Sequence, residues 1–239
     1  MSNIFKSENL DKDFTKFQET IIESKELSHS ISAQNKPFLK KYHRLTYIIA
    51  LFENKLENKW KEDNKFLFLN ELLSDLLANC SLSFIGFYYP SLIITRRLIE
   101  NFYNHIFYFD HPVEFELLNQ GRNEYTPILE LKNYYEVHPL IKALEDKNVK
   151  IFNDQLYHHY QELCRIVHTK GEPFMGLAKN LEDIKPNFDL SKHLNIANIS
   201  ILSIIYLLFK FHRDLNFTNI ETNLISNSFP KTLRSILLS

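Results

Sequence analysis

From Ser91 to His111 the chain reads SLIITRRLIENFYNHIFYFDH. Leu92, Ile93, Ile94, Leu98, Ile99, Phe102, Tyr103, Ile106, Phe107 and Phe109 leave almost no side of a helix free of apolar groups, and such a helix has to be buried. Its polar residues are not scattered. Arg97, Glu100, Asn101 and Asn104 recur at spacings of three and four, so they share one stripe. Polar groups on a buried helix are hydrogen-bonded or open onto a cleft. The rest of the chain must therefore surround this helix with other apolar faces while leaving its stripe satisfied.

The means to do so are present. The chain has 239 residues, of which 44% are hydrophobic and 14% aromatic, including 20 Phe and 12 Tyr, so it can bury a large core. Only four residues are glycine, which argues against a turn-rich β fold and against glycine-rich phosphate loops. The sequence holds no GxGxxG, GxxxxGK[ST] or GxSxG, which argues against P-loop hydrolysis and ordinary serine hydrolase chemistry. With 28 basic and 29 acidic side chains the net charge is −1, giving no global attraction to nucleic acid. Cys80 and Cys164 lie in apolar helical patterns and are expected to be buried free thiols of a reducing, cytoplasmic compartment. The start, MSNIFKSENLDKDF, is polar with early acids and is not expected to be a signal peptide. Leu76 to Thr95 is free of charge for the length of a membrane span, but Asn79, Ser81, Ser83 and Pro90 interrupt it. That run and Leu194 to Phe209 read better as buried bundle helices than as membrane spans.

Periodicity and capping residues predict a single all-α domain over 1–239: a bundle of about four long central helices with short peripheral ones. An N-terminal helical pair covers 10–62, the first helix capped by Asp11 or Asp13 and reaching about Ser30. The second opens at Pro37 and buries Phe38, Tyr42, Leu45, Ile48, Ile49, Phe52, Leu56 and Trp60. A third helix runs from Asn64 toward Tyr88 and breaks before Pro90. The central helix follows from Pro90 to about Asp110, stopped by His111 and Pro112. Short helices cover 114–119, 126–135 and 139–146. A long helix runs from about Ile151 to His168, a loop from Thr169 to Leu177, and an amphipathic stretch from Lys179 to Phe188. The last major helix reaches about Asn216, and 220–239 forms a docking tail interrupted by Pro230.

Two constellations carry possible chemistry. In the first, Arg97 pairs with Glu100 one turn away, with Asn101 and Asn104 beside them. It is either an ion pair fixing helix register or a cleft wall offering a guanidinium to a phosphate or other anionic substrate. Arg96 faces elsewhere, toward solvent or a backbone phosphate. In the second, Arg165 and His168 share a face at the end of the long helix, where cations are favoured by the helix dipole. His168 is either a general acid or base beside a phosphate-binding Arg165, or a capping residue. His158, His159 and Glu162 lack an HExxH pattern or a second cluster, so no metal is expected. Arg122 and Asn123 read as surface, and the aromatics from Phe102 to Phe109 as core rather than a base-stacking platform.

Together, RRLIENFYNHIFYFDHP and YHHYQELCRIVHTKG resemble the Arg-x-x-Glu helix and the later His-bearing helix end of HEPN-like helical bundle proteins. The resemblance spans about Leu72 to Gly176, and it places a HEPN-like core at about 64–216. It implies a bundle of the toxin and abortive-infection, antiphage type, many members of which are metal-independent ribonucleases that dimerise around the active cleft. The active members carry a His five positions after an Arg. Here that position is Phe102 after Arg97 and Pro127 after Arg122, while His168 stands three after Arg165. The resemblance thus implies a defence-type effector or subunit, binding or cleaving RNA without a cofactor. A homodimer and a protein partner from the same operon are expected. Arg165 and His168 would be catalytic, and Arg97, Glu100, Asn101 and Asn104 would bind substrate. The alternative expectation is a non-catalytic helical scaffold or protein-interaction subunit.

Overall fold

The computed structural model describes residues 11–12, 14–16, 19, 36–60, 66–84, 87–122, 126–168 and 190–237, and every regular element among them is helical. Helical residues at 11–12, 14–16 and 19 mark α1. Then come α2 (Lys36–Lys59), α3 (Leu67–Phe84), α4 (Tyr88–Asp110), α5 (Pro112–Asn119), α6 (Ile128–Val137), α7 (Pro139–Lys142), α8 (Lys147–Val167), α9 (Leu190–Phe211), α10 (Asn219–Ser226) and α11 (Lys231–Leu237). Five of these, α2, α3, α4, α8 and α9, are long: α2 is the second helix of the expected N-terminal pair, and the other four are the expected central helices. The predicted loop from Thr169 to Leu177, the stretch from Lys179 to Phe188 and most of the first helix lie outside the described residues.

The central helix is α4, and it packs on α3, α5, α6, α8 and α9. Leu98, Ile99, Phe102 and Tyr103 are sealed from solvent, as periodicity requires. Paired contacts fix the helix directions. Asn79 meets Thr95 and Asp75 meets Asn101, so α3 and α4 are antiparallel. Tyr103 meets Asn153 and Arg96 lies over Tyr160, so α4 and α8 are antiparallel. His159 meets Ser200 and Phe152 stacks on Tyr206, so α8 and α9 are antiparallel as well. Thus α4 and α9 run the same way, with His105 against His212 at their ends.

Several boundaries differ from expectation. Pro90 sits inside the first turn of α4, where its missing N–H costs nothing, so the helix begins at Tyr88 rather than at the proline. Phe38 is 37% exposed and is not part of the buried face of α2; Trp60 packs edge-on against Phe109. α9 stops at Phe211, short of Asn216, and the chain turns so that Phe217 stacks on Phe209 and meets Phe52 edge-on. α7 ends at Lys142, and Glu145 takes a left-handed φ of 51° that turns the chain into α8. α8 starts four residues before Ile151 because Asp146 caps it, its Oδ1 accepting from the Asn148 N–H at 2.9 Å.

Asp146 also joins α8 to α9. Its Oδ2 accepts from the Tyr206 hydroxyl at 2.6 Å and from Lys210 at 3.2 Å, and the Lys210 side chain is 6% exposed. Burial works against the carboxylate charge, yet hydrogen bonds from Tyr206, Asn148 and Lys210 together hold its pKa below the usual value. Asp146→Ala should remove the cap and take the buried carboxylate from Lys210, costing about 3–5 kcal/mol by chemical denaturation. Asp146→Asn should cost less, since the amide keeps the cap.

Candidate functional site

The polar stripe of α4 divides between two neighbours. On the α3 side, Arg97 reaches Glu71 at 2.5 Å and Asp75 at 3.4 Å, and Asn101 donates to Asp75 at 3.0 Å. On the α8 side, Arg96 binds Glu100 at 2.7 Å and lies 5.5 Å from the centre of the Tyr160 ring. The expected Arg97–Glu100 pair is therefore not formed. Both spacings put an arginine within reach of Glu100, but Arg97 turns to Glu71 and Asp75 of α3 and leaves Glu100 to Arg96. Arg96 is held by α4 and α8 rather than extended into solvent. Arg97 is not buried either: its side chain is 49% exposed, while Asn101 and Asn104 are each 8% exposed.

Asp75 gives this site its unusual electrostatics. Burial raises its carboxyl pKa to about 6; Arg97 and the Asn101 hydrogen bond oppose the shift, and Glu71 and Glu100 add to it. Glu71, Asp75 and Glu100 thus set three carboxyl groups against two guanidinium groups. Behind them runs a buried polar seam between α3 and α4. The Asn79 amide donates to the Ser91 carbonyl at 2.7 Å and the Thr95 hydroxyl at 2.8 Å, and Ser83 donates to the Asn79 side-chain oxygen at 3.3 Å.

Arg165 and His168 are exposed and lie apart from this site. Tyr160 of α8 stands beside Arg96, and α8 runs antiparallel to α4. Continuing eight residues to His168 therefore moves roughly 12 Å along the axis, toward the start of α4. His168 is the C-terminal cap of α8, its backbone N–H bonded to the Cys164 carbonyl at 3.0 Å. The predicted catalytic and substrate-binding groups do not meet within this chain. Cys80 is buried, and burial pushes its thiol pKa up; Cys164, expected to be buried, is half-buried beside Tyr160. Arg122 is exposed, as expected.

At the other end of α4, Asp110 accepts from Tyr134 at 2.9 Å and from His138 Nε2–H at 2.8 Å. This resembles the acid–histidine half of a triad, but His138 Nδ1 accepts the Leu140 N–H at 3.3 Å, so that nitrogen is occupied as the cap of α7. His105 and His212 face each other at 2.9 Å in the core, and burial drives the His212 pKa down, favouring its neutral form. Among the described residues no group of three His, Cys, Asp or Glu side chains could hold a metal ion. Among them, too, no helix is long and apolar enough to cross a membrane.

Periodicity in α4 pointed to the stripe and missed its partners, although Glu71, Asp75, Asn79 and Ser83 recur at intervals of four in α3. Comparison of the chain with protein-family models, curated proteins and solved structures finds no match.

Because the folded Asp75 carboxyl has its pKa raised from 3.8 to about 6, its contribution to stability is fully present below the lower value and falls away as pH rises through the higher one. Asp75→Asn should remove that part of the slope. The difference in melting temperature between variant and wild type should shift in favour of the variant between about pH 4 and about pH 6 and then level off.

Proposed function

We propose that this chain is a HEPN-like helical subunit of a prokaryotic defence or toxin system that acts by holding a protein partner rather than by cutting RNA itself. The observation that carries the reading is the charge closure along α4. Arg97 is engaged by Glu71 and Asp75, and Arg96 by Glu100. A phosphate arriving there would have to displace a carboxylate and then remain next to it, which Coulomb repulsion opposes. The acid–base pair that a nuclease would use, Arg165 and His168, lies elsewhere and exposed.

Features of the surface support a binding role. Among the described residues, five of the eleven large apolar side chains left exposed fall in one stretch: Val113, Leu117, Leu129, Val137 and Leu140. They fall on α5, α6 and α7, and exposed apolar groups gain from being covered. A second copy of the chain, or a protein encoded beside it, is the occupant this reading calls for. The likeness to HEPN-like proteins rests on the two helix segments around Arg97 and His168.

The test is RNA cleavage in EDTA with purified protein. Wild type should leave labelled structured and single-stranded RNA intact, and His168→Ala should behave the same, with an unchanged melting temperature. Cleavage by wild type that disappears in a stable His168→Ala protein would overturn this reading in favour of a metal-independent ribonuclease.

A further inference from the structure

A cleft of about 750 Å³ opens between the start of α2 and the turn after α10, with no residue of the α4 stripe in its lining among the described residues. Lys40, Lys41 and Arg44 line it from α2, one helical face brought round by spacings of three and four. Among the described residues Asp11 is the sole carboxylate in its lining, and it is bound to Lys40 at 2.6 Å. Among the described residues Lys41 has no carboxylate partner. Arg44 uses one guanidinium nitrogen on the Leu224 carbonyl at 3.4 Å, while its Nε is shut off from solvent without a hydrogen bond. Burial and the neighbouring Arg234 both work against the Arg44 charge. This is the reverse of the α4 stripe, where carboxylates outnumber guanidiniums.

α2 has no acidic residue in its first turn, where the helix dipole is positive and Lys36 stands. An anion in the cleft would offset the crowded charges of Lys40, Lys41 and Arg44. The remaining walls are of another kind. Phe14, Pro37 and Leu45 are apolar, and His43 is buried with its pKa driven down to about 4, so its ring is neutral. Asn227 and Ser228 supply hydrogen-bonding groups on the far wall. The volume lies in the range of small-molecule sites and exceeds what a lone phosphate fills.

We propose that this cleft binds a phosphate-bearing small molecule of nucleotide size, its phosphates held by Lys41 and Arg44 with Lys40, and its organic part against the apolar wall.

Calorimetric titration of the full chain with ATP, inorganic triphosphate and adenosine tests this. ATP should bind, adenosine should not, and raising the ionic strength should weaken the binding. Lys41→Glu, at an exposed position that folding tolerates, should weaken ATP by roughly tenfold. Arg44→Gln should weaken it as well, and Asp11→Asn, by releasing Lys40, should tighten it by roughly threefold. Absence of binding by both ATP and inorganic triphosphate at millimolar concentration would overturn the proposal. Binding unchanged in Lys41→Glu and Arg44→Gln would overturn it too, by placing the ligand elsewhere. Equal affinity for ATP and inorganic triphosphate would overturn the nucleotide assignment.

Discussion

The amide of Asn79 sets the register on which the bundle depends. It is fully buried and donates to a backbone carbonyl and a hydroxyl of α4, both within 2.8 Å. A slip of α3 along α4 by one residue would leave that amide unpaired in the core, a loss of about 1–3 kcal/mol. The same register aligns Asp75 with Asn101 and stacks Phe68 on Tyr108. Because α4 is in turn tied to α8 by the Tyr103 hydroxyl on Asn153, the position of α3 is transmitted across the molecule. Apolar burial supplies the bulk of the driving force, but it does not specify register in this way; Leu and Ile faces tolerate sliding that a paired amide does not.

The burial of α4 and the all-helical architecture were legible in the sequence because both follow from periodicity. The polar site was half legible. The stripe on α4 could be read from spacing, but its partners could not, because residues on one helix say which side chains share a face and not which neighbour that face meets. Arg97 looked paired with Glu100 for that reason. The four-residue rhythm of Glu71, Asp75, Asn79 and Ser83 held the missing half, and a short connection between α3 and α4 made antiparallel packing the expected geometry. Boundaries failed where tertiary contacts decided them. Asp146 serves at once as helix cap, acceptor for Tyr206 and partner of Lys210, and the last two roles, which hold the capping residue in place, could not be read from spacing. Phe217 ends α9 by the burial it gains in turning back.

The aromatic richness of the chain is largely spent inside. Phe102 and Tyr103 lie in the core, and Trp60, Phe109, Phe211 and His212 form a chain of edge-on contacts where α2, α4 and α9 converge. Edge-on rings fill volume while satisfying their own quadrupoles. Flat, rigid side chains of this kind explain how few glycines are needed: the helices meet through rings, not through close backbone approach.

The cleft near α2 joins pieces from opposite ends of the described chain. Asp11 and Phe14 lie on one side of it, Asn227 and Ser228 on another. Segments more than two hundred positions apart must therefore be present together before that wall is complete. In a chain made from its N-terminus onward, helices α2 to α4 can pair as they emerge, since their contacts are near in sequence. The cleft cannot. Its wall is complete only once Asn227 and Ser228 have emerged, so a nascent chain assembles α2 to α4 before it carries its basic pocket.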